Sequence, residues 1–216
     1  MKKKIIAISL AVCLLAGICI GLFTCSSRRA PKLEEIYDRV VELVEASYEL
    51  NTVFYGAGIP VYPTDSMYAE FSHLYFDFPY RGEYEMASQY TSFRAIDEIK
   101  LAAQRVYSTA YLEQVLYPAA FDGYAIGDGV GGTAIAKPRY LEEDGWLYRS
   151  TEENYSLTGL RVYDYSTMKV VRPSRSDACY VEMLSWLDDA PDTVTTVRLR
   201  LVLQDDGLWY LDSFTG

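Results

Sequence analysis

The chain has 216 residues, half of them apolar, and a formal net charge of −10. That apolar share supports a packed core and argues against a disordered chain. Lys2, Lys3 and Lys4 precede every acid, so the remainder is more acidic than the total, which disfavours binding to a phosphate backbone.

Lys2 to Lys4 lead into an uncharged run from Ile5 to Phe23. Its length, about 20 residues, approaches what crosses a bilayer, and the lysines should stay inside. Leu22-Phe23-Thr24-Cys25 resembles a bacterial lipoprotein box, with Cys25 as the lipidated residue. An uncleaved signal anchor is the other reading. Both tether the rest to the extracytoplasmic side of the membrane. Residues 1–25 are thus a signal peptide or membrane anchor, 26–31 a short linker and 32–216 a single extracytoplasmic domain. Cys13, Cys19 and Cys25 lie in or beside the apolar run, and only Cys179 lies in the domain, so no disulfide within the domain is available.

Pro31 to Leu50 reads as a helix: Leu33, Ile36, Tyr37, Val40, Leu43, Val44, Ser47 and Tyr48 share one stripe. Gly56, Gly58 and Pro60 stop it. Leu74 to Phe76 and Tyr90 to Phe93 are short strand candidates. Ile96 to Tyr107 is a second helix. Ser108 caps a third, from Thr109 to Leu116, with Pro118 as its stop. From Tyr140 the period becomes two. Tyr140-Leu141 and Trp146 to Tyr148 form a hairpin around Asp144-Gly145. Leu160 to Tyr165, Met168 to Val171 and Ala178 to Leu184 are strands, and Asp188 to Asp192 is a loop. A second hairpin turns at Asp205-Asp206-Gly207 into Leu208 to Leu211. No βαβ alternation occurs. The expected fold is α+β, with about three helices packed on a curved antiparallel sheet.

The chemistry-bearing patterns are sparse. Gly127 to Gly132 fits GxGxxG, but the segment after it is too short and Pro-stopped for the helix that motif requires, so a hairpin loop is expected. His73 is the only histidine and sits among Phe71, Leu74 and Tyr75, which suits packing rather than a catalytic triad or a metal site. Glu142-Glu143, Glu152-Glu153, Asp188-Asp189 and Asp205-Asp206 fall at turns, where acids are solvated. Calcium at Asp188, Asp189 and Asp192 would not follow an EF-hand spacing. Asn154 opens a glycosylation sequon. The chain has 20 tyrosines, of which Tyr75, Tyr80, Tyr84, Tyr90, Tyr107, Tyr111, Tyr117 and Tyr124 crowd one third of its length; they suit either core-edge packing or a partner-facing surface. No enzyme activity and no cofactor or metal are expected. Glu142, Glu143, Asp144, Asp188, Asp189, Asp205 and Asp206 are the candidate partner-binding residues, with Cys25 the lipidation site.

Val53 to Pro60, Phe93 to Lys100, Val106 to Glu113 and Pro138-Arg139-Tyr140 together carry a resemblance. The chain resembles the IseA-type inhibitors of cell-wall D,L-endopeptidases of Firmicutes, over about residues 32–216. Ala95 departs from the resemblance, where a capping Ser is expected. The resemblance implies a non-enzymatic protein that docks on a cell-wall hydrolase and shields its active site. The alternative is a small-ligand-binding or assembly module, since helices followed by a curved sheet also look like SnoaL-like and cystatin-like folds.

Overall fold

The computed structural model describes residues 29–62, 83–127, 133–151 and 159–216, with side chains omitted for 124–127 and 133–136. The apolar run Ile5 to Phe23, Cys25, the strand expected at Leu74 to Phe76, His73, Glu152-Glu153 and Asn154 lie outside the described residues. Among the described residues no helix is long and apolar enough to cross a membrane.

Helix α1 spans Leu33–Tyr55. Ile36, Val40, Leu43, Val44 and Ser47 are buried, so the stripe faces the core as its spacing requires. The helix runs past Leu50 because Leu50, Val53 and Phe54 extend that face, and it ends where the Gly56 N–H bonds to the carbonyls of Asn51 and Thr52. Helix α2, Ile96–Gln104, stops short of Tyr107. Tyr107 bridges Leu211 of the last strand instead, with the Ser108 N–H on the Leu211 carbonyl and the Leu211 N–H on the Val106 carbonyl. Helix α3, Thr109–Tyr111, is capped by Ser108, whose Oγ accepts the Tyr111 N–H at 3.1 Å. It widens into two π-helical stretches, Leu112–Leu116 and Pro118–Asp122, and ends at Gly123 with φ 71°. Pro118 therefore does not stop the helix; it opens the second stretch, at a position where a missing N–H costs little.

Strands β1 (Tyr84–Met86), β5 (Trp146–Ser150) and β4 (Tyr140–Glu143) form a three-stranded antiparallel sheet. Strands β2 (Tyr124–Gly127) and β3 (Thr133–Ala136) pair with each other, closing on Gly127 opposite Thr133. The glycine-rich segment is thus followed by a strand, which removes the helix a dinucleotide turn needs. The expected strand at Tyr90 to Phe93 is a run of turns. Ser88 Oγ accepts the Tyr90 N–H and Thr91 Oγ1 accepts the Phe93 N–H, so local side chains take donors a sheet would use.

The larger sheet has the order β6-β7-β8-β9, all antiparallel: β6 Arg161–Val171, β7 Ala178–Leu187, β8 Ala190–Leu203 and β9 Trp209–Leu211. The two segments expected before Val171 are one strand with a bulge between Asp164 and Lys169. Asp164 Oδ1 accepts the Ser166 N–H there, and Thr167 Oγ1 accepts the Leu184 N–H. The expected loop at Asp188 to Asp192 shrinks to a turn at Asp188-Asp189, with Pro191 in an irregular stretch at the start of β8, where proline is tolerated. Cys179, Val181, Met183, Leu199, Leu201 and Leu211 line the inner face and merge with α1 and α2 in one core. Burial pushes the Cys179 thiol up to about 12, so it stays protonated and unreactive at neutral pH.

Candidate interaction surface

At the tip of the β4–β5 hairpin Asp144 has φ 49° and Gly145 φ 79°. Two successive left-handed residues make the turn whose twist matches paired strands, which is why Asp-Gly occurs there. Glu143 pairs across the hairpin with Trp146. Glu143 and Asp144 are exposed, and Trp146, 44% exposed, stands beside them. Glu142 turns back toward the fold: its Oε2 accepts the Ile96 N–H at 2.9 Å. That bond serves the N-terminus of α2, where Ala95 has no capping side chain. The loop ahead of α2 begins at Ala87, whose N–H bonds to the Leu147 carbonyl at 2.8 Å, and ends at Ile96 beside Glu142. It carries Tyr90, 80% exposed. Asp97 and Glu98 follow in the first turn of α2. Acids and two exposed aromatics thus share neighbouring segments. The field of the tip reaches inward, because Tyr148 is held above its usual range first by burial and then by the charges of Asp144 and Glu143.

The other acids named from the sequence are placed elsewhere. Asp188 Oδ1 accepts the Leu160 N–H at 3.0 Å and the Asp189 N–H at 2.9 Å, fixing the β7–β8 turn. Asp206 Oδ2 accepts the Tyr210 hydroxyl at 2.7 Å and Oδ1 the Leu208 N–H at 2.9 Å. These bonds, the tyrosine's first, hold the Asp206 carboxyl below the usual carboxylate range. Asp189 and Asp205 are exposed at their turns. The Asp188-Asp189 and Asp205-Asp206 turns flank the two ends of the 14-residue strand β8, about 45 Å apart at strand rise, so they do not converge. Among the described residues no three His, Cys, Asp or Glu side chains gather as a metal site.

Several polar groups that could look catalytic hold the fold together. Tyr107 Oη donates to Asn51 Oδ1 at 2.9 Å, and Asn51 Nδ2 donates to Thr215 Oγ1 at 2.8 Å. Ser47 Oγ meets the same threonine hydroxyl at 2.6 Å, and Tyr163 Oη donates to its carbonyl. This buried chain ties the segment around Thr215 to α1. Arg139 is 1% exposed, with Nη2 on the Gly56 carbonyl and Nε on Tyr140 Oη. Arg149 bonds to the carbonyls of Ala57 and Ile59 and pairs with Glu85 at 3.1 Å. Of the crowded tyrosines, Tyr84 and Tyr107 are buried, and Tyr111 and Tyr117 pack against aromatic neighbours. Tyr90 alone among the described members of that group stands free in solvent to a large extent. A cleft of about 530 Å³ opens where Glu35 and Ile36 of α1 approach Leu203 and Trp209.

Tyr90 and Trp146 were not singled out as site residues from the sequence. A tryptophan immediately after an Asp-Gly turn was the available signal for Trp146; nothing local marked Tyr90. Comparison with protein-family models, with curated proteins and with solved structures gives no match.

Proposed function

We propose that this chain is a non-enzymatic extracytoplasmic binding protein, an acidic inhibitor that docks on a cell-wall hydrolase. The observation that carries the reading is the β4–β5 tip, which holds Glu143, Asp144 and Trp146 outward on a two-residue turn. A rigid turn loses little entropy on binding, exposed aromatics are the commonest interface anchors, and carboxylates steer a basic partner. Glu142 stiffens the tip by bonding to α2. Under this reading the N-terminal segment tethers the protein outside, through lipidated Cys25 or as an uncleaved anchor, beside the enzymes it restrains.

The test is a peptidoglycan digestion. The purified chain is titrated against D,L-endopeptidases at several salt concentrations. Hydrolysis should fall at stoichiometric protein and recover as salt rises. Trp146→Ala should weaken inhibition by about 2 kcal/mol, and Glu143→Lys with Asp144→Lys should slow association. Undiminished hydrolysis by every enzyme tried would overturn the proposal.

A further inference from the structure

The cleft between α1 and the larger sheet lies apart from the hairpin tip. Leu203 of β8 and Trp209 of β9 are cross-strand partners, so their side chains stand side by side on one face and give the cleft an apolar wall. Ile36 of α1 adds to it. Two bonds fix the walls. Arg39 Nε donates to the Trp209 carbonyl at 2.9 Å, which ties β9 to α1. The Leu203 N–H donates to the Asp177 carbonyl at 2.9 Å, which holds the β6–β7 turn against β8. The cleft is thus pre-formed, and its volume of about 530 Å³ falls in the range of small-molecule sites.

Arg29, Glu35, Ser176 and Asp177 complete the lining. Glu35 is already spent: Oε1 accepts from Arg29 Nη2 at 2.7 Å and Oε2 from the Lys32 N–H at 2.9 Å. Asp177 pairs through Oδ1 with Arg175 Nε at 3.3 Å. Among the described residues, Asp177 Oδ2, the Ser176 hydroxyl, the Trp209 indole N–H and the remaining Arg29 nitrogens make no bond. The lining therefore mixes donors with acceptors, and its charges are paired. An anion would meet Glu35 and Asp177, and a cation would meet Arg29. A neutral ligand with an apolar face and a hydroxyl-bearing edge suits both halves, because each hydroxyl donates and accepts.

We propose that this cleft binds a short neutral saccharide. A sugar ring lays its C–H face against half-buried Trp209 and Leu203, and its hydroxyls bond to Asp177, Ser176 and Arg29. Trp209 supplies both an apolar surface and an indole donor, which is what a ligand with one apolar and one polar side requires. The protein then carries two binding surfaces, the acidic tip for a protein and the cleft for a sugar. The cleft leaves the β4–β5 tip uninvolved and does not depend on the hydrolase.

Proton–nitrogen NMR of the full chain, in a detergent without a sugar headgroup, tests the site. The probes are the N-acetylglucosamine trimer, cellotriose and maltotriose. With at least one of them the Trp209 indole resonance, identified by its loss in Trp209→Phe, should move saturably, with a dissociation constant of about 0.1–1 mM. Trp209→Ala should weaken binding about tenfold. Asp177→Ala, at an exposed side chain that can change without unfolding the chain, should weaken it about threefold to tenfold. Added salt should leave the affinity unchanged, because the ligand is uncharged, and so should Trp146→Ala on the tip. Resonances that stay in place up to about 10 mM of every probe overturn the proposal. So does a shift that Trp209→Ala and Asp177→Ala both leave intact, and so does tighter, salt-sensitive binding of lysine or inorganic phosphate, which would assign the cleft to a charged ligand.

Discussion

Gly58 holds φ at +79°, and a Cβ built there would lie 2.6 Å from Arg149 Cδ and 3.0 Å from both Arg139 Nη2 and Tyr140 Oη. Gly58→Ala should therefore lower stability by about 1–3 kcal/mol, read as a drop in the urea midpoint. The sequence marked this glycine as part of a helix stop. It could not mark the reason, which is that two arginines from a distant hairpin grip the loop. Arg139 was equally opaque, since arginine is normally a surface residue and its burial depends on carbonyls that only the folded chain brings near. Ser108 was legible because its bond reaches just three residues along the chain.

The start of α2 shows what an element draws from another element. Ala95 breaks the expected capping pattern, and Glu142 from β4 supplies the missing acceptor at Ile96. Glu142→Ala should cost about 1 kcal/mol, while Glu142→Gln, which keeps an acceptor, should cost less. Chemical denaturation of the two variants checks the ordering; equal losses would deny the capping role. Element ends moved for similar reasons. α1 gained a turn because its apolar face continued, and α2 lost one because Tyr107 was drawn to Leu211. The hairpins at Asp144-Gly145 and Asp206-Gly207 were readable, since positive φ at Gly145 and Gly207 is a local demand.

For the whole molecule, acid should be the weak side. Asp206 is held low by Tyr210, Glu182 by Arg198 and Glu35 by the Lys32 N–H, in each case as the leading cause. A depressed carboxylate contributes stability above its unfolded value, near about 4, and the contribution is lost as pH falls through the folded value. Self-repulsion works the other way, fading as pH approaches the isoelectric point of about 4.6. The urea midpoint should thus hold between roughly pH 7 and 5 and decline below about 4. Glu182→Gln combined with Asp206→Asn should flatten that decline; an unchanged profile would assign the acid sensitivity to other groups.

The sequence by itself determined the α+β class, the antiparallel pairing, the buried stripe of α1 and the two Asp-Gly turns. Each rests on residues within a few positions of one another, where backbone sterics and side-chain period act directly. Only the tertiary structure decided which acids are occupied and which are presented. Glu142, Asp188 and Asp206 spend their carboxylates on N–H groups or a hydroxyl, whereas Glu143 and Asp144 remain exposed beside Trp146. It also decided how far β9 runs alongside β8, where the paired register covers Leu201 to Leu203. Exposure and partnership are set by segments far apart in the chain, and no local pattern encodes where those segments meet.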